Sequence, residues 1–263
     1  MQEVAVIVSN DNKEISDIEI LDSIKESGFR NIFIHWESNE YNEHNWAEQI
    51  EYINKIGLNI VFAHLSYKGI NSIWEEGTTG DSLVEKYMKD ISDCKKHNIS
   101  MVVMHLTSGK DAPMYNEIGL NRLHKIINHA KEQNVKVAFE NTKIKGYLEY
   151  VIDNIKDENV GICYDSGHCH VHFNDEFDFG KFKDRIFAVH LHDNDKTDDL
   201  HLLAFDGTID WEETMKNLKQ ANFSGHITLE SVYRYEYLNL TPLEFYKKSY
   251  EVANKLANMY KKI

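Results

Sequence analysis

"VGICYDSGH", residues 160–168, is a short apolar run that ends in an acidic residue with a histidine close behind it. A run this short and this continuously apolar is typical of a strand that is buried on both faces of a parallel sheet. Asp165 stands where the run ends, and His168 follows three residues later. The same order, an apolar run and then a carboxylate or imidazole, recurs along the chain, so this stretch is one unit of a repeated pattern.

Eight apolar runs rich in Val, Ile and Phe recur along the sequence, and longer amphipathic segments separate them. Segments 82–98 and 120–134 place apolar residues at helical spacing with charges opposite, which predicts helices. Segment 241–260 predicts another helix, with Thr241 as its N-cap and Pro242 at its first position. The eight runs are VAVIV (4–8), NIFIHW (31–36), NIVFAHL (59–65), SMVVMHL (100–106), VKVAFEN (135–141), VGICYD (160–165), IFAVHLH (186–192) and HITLES (226–231).

This alternation of strands and helices predicts an α/β fold with a parallel sheet. The 263 residues divide into eight units of about 33, close to the roughly 30 of a βα repeat and to the total length of a (β/α)8 barrel. We therefore predict a single (β/α)8 TIM barrel, with residues 1–263 as one domain because no Pro/Gly/Ser-rich linker divides the chain. A doubly wound open sheet is the alternative, but no GxGxxG motif follows the first strand.

Composition narrows the classes of partner. The formal net charge of −14 disfavours a nucleic-acid platform, although a local basic mouth on an acidic body stays open as an alternative. No segment approaches the ~18 consecutive apolar residues that a membrane span needs, so no membrane partner is expected. Three cysteines without a CxxC motif favour a reduced, cytoplasmic protein.

Polar residues stand at the ends of six consecutive predicted strands. In barrels of this architecture, catalytic groups lie at the carboxyl ends of the strands, so all six can converge on one mouth. Packing alone does not explain them, because buried charges are costly unless they are paired or bind metal. Carboxylates and imidazoles without thiolate suit Zn, Mn, Fe or Co, and the sequence does not choose among these. The six residues are His64, His105, Glu140, Asp165, His190 and Glu230.

Two loops add candidate ligands. His168 follows Asp165 at a D-x-x-H spacing that a turn can fold onto one ion, and Asp199 and His201 form a D-x-H pair that can reach a further ion. A solvated acidic loop is the alternative for that pair. His192, two residues beyond His190, can share its inward face, so contact with metal, a metal ligand or substrate is open as an alternative to a purely structural role. His170 and His172 are predicted to lie in the loop after the strand, solvated or hydrogen-bonded.

Four motifs resemble those of the xylose isomerase-like barrel superfamily. They are FENT (139–142), YDSGH (164–168), VHLHDND (189–195) and DLHLLAFDGTIDW (199–211). That superfamily holds sugar and sugar-phosphate isomerases and epimerases, and also the endonuclease IV class of abasic-site nucleases. The resemblance covers essentially the whole chain, and it is specific for the superfamily without selecting one activity.

The resemblance implies two alternative ligand sets, and so one to three ions per chain. The epimerase-like set is Glu140, Asp165, His190 and Glu230 around one ion. Lys196 stands where family epimerases often carry an arginine, and it can hold a substrate oxygen without the bidentate fork. The nuclease-like set serves a three-metal cluster, and each of its positions is filled here by His64, His105, Glu140, Asp165, His168, His190, Asp199, His201 and Glu230.

The first hypothesis is a metal-dependent sugar or sugar-phosphate isomerase or epimerase. Glu140 and Glu230 would flank the substrate, one removing a proton and the other returning it through an enediolate. Trp36, with His35 and Glu37, is expected to line the sugar pocket, although packing in the wall is an equal alternative for Trp36. Further substrate contacts are expected from His168, His192, Lys196 and Arg234.

Two other classes stay open at this stage. An endonuclease IV-like phosphodiesterase would use the full ligand set, but DNA binding normally needs several Lys or Arg contacts to phosphate, and the chain has four arginines. Lysines in the strand-end loops fit a pocket for one phosphate at least as well as a DNA rim. The third class is a metal-binding or ligand-binding protein without turnover. Barrels of this type often pair, so a homo-oligomer is also open.

Overall fold

Each of the eight apolar runs forms a strand in the computed structural model, which describes residues 2–10, 12, 14–36 and 46–263. The bounds agree with the predicted runs to within a few residues. Strands β1 to β8, in chain order, are Val4–Ile7, Asn31–Trp36, Asn59–Leu65, Met101–Met104, Lys136–Glu140, Val160–Asp165, Ile186–His190 and Ile227–Leu229.

The strands form one parallel sheet in which each strand pairs with its neighbours in the sequence, and β1 also pairs with β8. An isolated parallel bridge between Leu191 and Leu229 joins the β7 and β8 ends. There the Leu191 N–H donates to the Thr228 carbonyl at 2.9 Å, and the Glu230 N–H donates to the Leu191 carbonyl at 3.0 Å. The predicted (β/α)8 TIM barrel is therefore confirmed.

Helices connect successive strands and surround the barrel. The N-cap predicted for the last helix is present, because Thr241 Oγ1 accepts a hydrogen bond from the Glu244 N–H while the Glu244 carboxylate accepts one from the Thr241 N–H. No helix in the described ranges combines the length and apolar character of a bilayer span. Helices α1 to α8 are Asp17–Ser27, Ile50–Lys55, Thr78–Lys96, Glu117–Glu132, Tyr147–Asn154, Ser166–Phe173, Trp211–Gln220 and Pro242–Lys262.

The segment behind β6 is a helix, so the prediction that His170 and His172 lie in a loop was wrong. Helix α6 begins at Ser166, directly after the strand. Asp165 caps it, because its Oδ1 accepts a hydrogen bond from the His168 N–H at 2.7 Å. The cap satisfies a helix-terminal N–H and places His168 in the first turn, above the end of the strand.

An apolar plug fills the barrel interior beneath the strand ends. Among its members, Phe33 from β2 and Phe62 from β3 stack on each other at 4.7 Å. The Phe33 ring also lies parallel to the imidazole of His190, with 4.9 Å between centroids. These apolar side chains therefore form the floor of any site that opens at the carboxyl ends of the strands.

Candidate metal site at the strand ends

The structure brings the six strand-end residues and the neighbouring loop residues together into one group. We call this group the strand-end cluster. Its members are His64, His105, Glu140, Asp165, His168, His190, His192, Asp199, His201 and Glu230.

Glu140 is the residue on which imidazoles from three other strands converge. Its Oε2 lies 3.0 Å from His64 Nε2, 3.1 Å from His190 Nδ1 and 3.5 Å from His105 Nε2. Its other oxygen, Oε1, lies 3.1 Å from His168 Nδ1. One buried carboxylate is therefore shared by four imidazoles, an arrangement that simple ion pairing does not require.

His190 joins Glu140 to the other two strand-end carboxylates. Its Nδ1 lies 3.4 Å from Glu230 Oε1 and 3.9 Å from Asp165 Oδ2. Neither ring nitrogen of this fully buried histidine forms a hydrogen bond with a described residue. Because buried polar atoms are rarely left without a partner, the site is built for a group that these side chains would bind.

A second part of the cluster is centred on Asp199, in the loop after β7. Asp199 Oδ2 lies 3.2 Å from His168 Nε2 and 3.5 Å from His201 Nε2. His168 comes from the first turn of helix α6, and Asp199 and His201 come from the loop after β7, yet their ligand atoms face one point. The D-x-H pair was expected to reach the ion site, and its side chains do lie against the strand-end residues.

Backbone carbonyls orient three of the imidazoles. The Nδ1 atoms of His64, His168 and His201 lie 2.9, 3.0 and 2.9 Å from the carbonyl oxygens of Leu65, Asn141 and Glu230. A carbonyl can only accept, so these contacts favour the tautomer with hydrogen on Nδ1 and leave the Nε2 lone pair facing the cluster. Metal-binding histidines are commonly held in this way.

His192 lies inside the cluster, whereas the sequence left its role open. It is fully buried, and its Nε2 lies 3.2 Å from Asp165 Oδ1 and 3.8 Å from both Asp199 Oδ1 and Glu230 Oε2. Its ring is parallel to that of His201, with 4.0 Å between centroids. The side chain thus faces three carboxylates from three different segments.

The buried carboxylates do not share one electrostatic environment. Although burial opposes ionisation, the imidazoles of His105 and His190 hold the pKa of Glu140 well below its usual value. Burial likewise opposes ionisation of Asp165, but His168 and His192 lower its pKa to about 2.

Glu230 shows the opposite behaviour. Burial raises its pKa well above the usual value, and the negative charges of Asp165 and Glu140 add to the effect. A bound cation would offset these negative charges and favour ionisation of Glu230.

The donor set and its spacing fit divalent metal ions. Two ligand atoms bound at about 2.1 Å to one tetrahedral ion are about 3.4 Å apart. Four nitrogen–oxygen pairs of the cluster lie 3.2–3.5 Å apart, close to that value. Imidazole and carboxylate ligands without thiolate suit Zn, Mn, Fe or Co.

Asn141 was missed by the sequence reasoning as a separate functional residue. Its side chain bonds the backbone of Asp165 twice: Nδ2 donates to the Asp165 carbonyl at 2.8 Å, and Oδ1 accepts from the Asp165 N–H at 2.8 Å. Its own carbonyl accepts from His168. Asn141 follows Glu140 within the FENT motif, and this adjacency was the available signal.

Asp193 fixes the loop that carries Asp199 and His201. It is fully buried, and its carboxylate accepts hydrogen bonds from four donors at 2.8–3.0 Å. Three are backbone N–H groups, and the fourth is the indole of Trp211. These hydrogen bonds close the loop around the Asp193 carboxylate. They therefore hold Asp199 and His201 at fixed positions in the cluster. The four donor residues are Asn194, Phe205, Ile209 and Trp211.

A cavity of about 670 Å³ opens above the cluster. Tyr67 lines it and stacks on His105 at 4.4 Å with nearly parallel rings. Arg234 also lines it, and its Nη2 donates to the Asp199 carbonyl at 3.3 Å. Lys143 and His35 contribute further polar atoms to the wall. The volume is that of a small-molecule pocket.

Two predicted substrate residues lie elsewhere. Trp36 packs in the hydrophobic core, with its ring 6.0 Å from that of His97. Lys196 lines a separate cavity of about 380 Å³, where its Nζ lies 2.8 Å from Asp175 Oδ2. Neither residue is among those that line the larger cavity. Glu37 lies outside the described residues.

Comparisons with known proteins agree with this fold. An uncharacterized protein of Sinorhizobium fredii, y4fM, is 31% identical over 144 residues, which are 50% of this chain and 44% of the relative. A "Probable endonuclease 4" of Mycoplasma capricolum is 27% identical over 128 residues, which are 41% of this chain and 43% of the relative. The matched regions thus span less than half the length of these curated relatives.

Solved structures resemble the whole chain. An L-ribulose 3-epimerase structure has a TM-score of 0.77 at 14% identity, covering 100% of this chain and 96% of the other. The IOLI protein with a bound zinc atom has a TM-score of 0.76 at 17% identity, with 99% of each chain covered. The sequence profile described as "Xylose isomerase-like TIM barrel" matches residues 21–256. The chain therefore belongs to the xylose isomerase-like TIM barrel family.

Proposed function

We propose that this protein is a divalent-metal-dependent isomerase or epimerase of sugars or sugar phosphates. One observation carries the proposal: Glu140 and Glu230 end different strands, contact the same His190 nitrogen and line the same cavity. Two carboxylates facing one small pocket are what proton removal and return on a small substrate require.

The proposed metal ligands are the carboxylates of the strand-end cluster and the histidines that contact them. Glu140, Asp165, His190 and Glu230 would hold one ion, and the other cluster histidines with Asp199 provide ligands for one or two more. When bound, a divalent ion supplies Lewis acidity that polarises a carbonyl oxygen. The orphaned nitrogens of His190 and the carbonyl-oriented imidazoles support this assignment.

Glu140 and Glu230 would share the proton transfer. One carboxylate removes the proton from the carbon next to the substrate carbonyl, which leaves an enediolate. The other carboxyl group returns a proton, on the opposite face for an epimerase or at the neighbouring carbon for an isomerase. The apolar floor of Phe33 and Phe62 excludes water beneath these groups.

The remaining cavity wall suits a polyhydroxylated substrate. Ser9, Thr107 and Thr142 line it, and the last two share a hydrogen bond of 2.9 Å between their hydroxyl oxygens. Lys143 and Arg234 add positive charge that can hold a phosphate. These features support sugars and sugar phosphates as the substrate class.

A phosphodiesterase is the second candidate, because one observation favours it. The contacts of Asp199 with His168 and His201 complete a ligand set larger than one ion needs. Against DNA as its substrate, Lys143 and Arg234 are the only two Lys or Arg side chains of the described residues that line the cavity. The net charge of −14 also disfavours a polyanion as the substrate.

A cytoplasmic location and a homo-oligomeric state are expected from the sequence, and both stay predictions.

Proton exchange separates the two candidates. In D2O, the metal-loaded protein should incorporate deuterium next to the carbonyl of at least one member of a ketose and aldose panel, with and without phosphate, as followed by NMR. Glu140→Gln and Glu230→Gln should each slow the exchange by at least about 100-fold. Chelator-sensitive nicking of an abasic-site duplex, with no sugar exchange, would overturn the proposal in favour of the phosphodiesterase.

A further inference from the structure

We infer that His192 is itself a metal ligand and that, with His201, Asp199 and Glu230, it binds a divalent ion beside the one held by Glu140 and His190. This inference rests on the proposed function for the existence of a metal centre. It adds an imidazole that belongs to neither ligand set implied by the family motifs. The chain would therefore bind this second ion through two neighbouring histidines instead of one.

The spacing of the four side chains carries the inference. His192, His201 and Glu230 offer ligand atoms that all lie within 4.8 Å of one another. Asp199 closes the group, with 3.8 Å from Oδ1 to His192 Nε2 and 3.5 Å from Oδ2 to His201 Nε2. Atoms bound at about 2.1 Å to one ion are at most about 4.2 Å apart. The two separations from Asp199 lie within that limit, as does the 3.8 Å from His192 Nε2 to Glu230 Oε2.

An unsatisfied oxygen marks where the ion would lie. Asp199 Oδ1 is buried and forms no hydrogen bond with any described residue, although it faces His192 Nε2. A buried carboxylate oxygen without a donor is costly. A cation between Asp199 Oδ1 and His192 Nε2 would satisfy this oxygen.

The local backbone is shaped around the His192 ring. Ser166 Oγ accepts from the His192 N–H at 3.1 Å and donates to its carbonyl at 2.9 Å. A β-carbon on Gly167 would lie 1.9 Å from Cε1 of the His192 ring, so only glycine leaves room for this imidazole. Helix α6 thus presents its first turn as a cradle that holds the ring against the three carboxylates.

Metal content tests the inference directly. Wild type, His192→Asn and His192→Gln would each be dialysed to equilibrium against Zn²⁺, and bound zinc per chain measured by elemental analysis. Both variants should hold one ion per chain fewer than wild type. His172→Asn is the matched control, because His172 is a half-buried histidine of α6 that forms no ion pair with a described carboxylate. It should keep the wild-type content.

A second measurement uses only the wild-type protein, so its result does not depend on how well the variants fold. In ¹⁵N-histidine-labelled wild type, Zn²⁺ should shift the Nε2 resonance of His192, assigned through its contacts with the stacked ring of His201. Unchanged zinc content in the variants, together with an unshifted resonance, would overturn the inference while leaving the proposed function intact. A wild-type protein that binds no zinc and no other divalent ion would overturn both.

Discussion

The strand-end cluster and a side cavity each contain a buried histidine of helix α6, His168 and His170, and the two regions differ in how imidazole nitrogens are used. In the side cavity, formed by Tyr164, His170, Asp175, Lys196 and Thr208 with their neighbours, both nitrogens of His170 are paired. Its Nδ1 lies 2.6 Å from Asp175 Oδ1, and its Nε2 lies 2.8 Å from Thr208 Oγ1. In the strand-end cluster, by contrast, imidazoles share carboxylates, and several polar atoms form no hydrogen bond with a described residue.

The contrast shows that a buried histidine beside an aspartate is not by itself a metal ligand. His170 has both features, yet its two partners satisfy it completely and fix α6 to the loop after β7. His190 is equally buried and finds no hydrogen bond within the described part of the chain. What distinguishes the cluster is sharing: one carboxylate, Glu140, serves four imidazoles.

The largest expected effect comes from removing that shared carboxylate. Glu140→Gln should abolish detectable proton exchange and lower the affinity for the metal at least tenfold, because an amide is a poor substitute for a charged ligand. Equilibrium dialysis with zinc and the exchange assay would measure both. His170→Gln is the comparison variant, and equal metal loss in the two variants would contradict the distinction drawn here.

Metal removal should destabilise the protein through the cluster alone. Ligand at 100 times its dissociation constant adds about 2.7 kcal/mol to the free energy of unfolding, which corresponds to about 5–10 °C in Tm for a chain of this size. Thermal unfolding with and without chelator would show the shift, and added metal should restore it. His170→Gln should retain the full shift in Tm. An unchanged Tm of the wild type on chelation would argue against a metal centre.

Asp193 connects the two regions, because it holds the loop that serves both. Asp193→Ala leaves three buried donors and one partly buried donor without their acceptor, and we expect a loss of about 3 kcal/mol or more in the free energy of unfolding. The variant should also lose the ion held by Asp199 and His201 and keep the one at Glu140. Denaturant unfolding would measure the stability, and elemental analysis would measure the bound metal. A destabilised variant with wild-type metal content would show that metal binding does not depend on the stability of this loop.

Much of this architecture could be predicted from the sequence. Parallel strands buried on both faces leave continuous apolar runs, so all eight strands were identified. The strand-end rule then selected residues such as His64 and Glu230 without knowledge of their contacts. The strand predictions succeeded because they depend on chain periodicity, which is local, whereas the roles of the strand-end residues stay predictions.

The failures have physical causes that the sequence hides. Neighbouring residues on a strand point to opposite faces, so His35 reaches the cavity while Trp36 must pack outside the barrel. Lys196 adopts a left-handed backbone conformation, φ 68°, and reaches the side cavity instead. Helix α6 was missed because Asp165 was interpreted only as a metal ligand. Its carboxylate also caps the helix, because it accepts a hydrogen bond from the His168 N–H.

The side cavity itself should matter for stability and not for metal. His170→Gln breaks at least one of two partly buried hydrogen bonds, and we expect a loss of about 1–3 kcal/mol in the free energy of unfolding. Urea unfolding would measure it. A His170 variant that folds normally but has lost an ion would place His170 within the metal site after all.

The smallest effect is expected at a carboxylate that belongs to neither region. Lys131 hydrogen-bonds Asp157 at 2.9 Å and lowers the pKa of that carboxyl. The stabilisation is therefore present above the unfolded-state pKa and is lost as pH falls through the lower folded-state pKa. Because the pair lies near the surface, Asp157→Asn should cost about 0.5 kcal/mol at neutral pH and nothing in strong acid. Urea unfolding at several pH values would test this, and a pH-independent difference would contradict it.

We propose that the strand-end cluster is a metal centre that serves proton transfer on a sugar. The most direct test is deuterium incorporation from D2O into a panel of ketoses, aldoses and their phosphates, followed by NMR before chelation, after chelation and after metal is restored. We expect incorporation next to the carbonyl of at least one sugar, lost on chelation and regained with the metal. A fully metal-loaded, folded protein that exchanges no sugar of the panel, or one whose exchange survives complete removal of the metal, would contradict it.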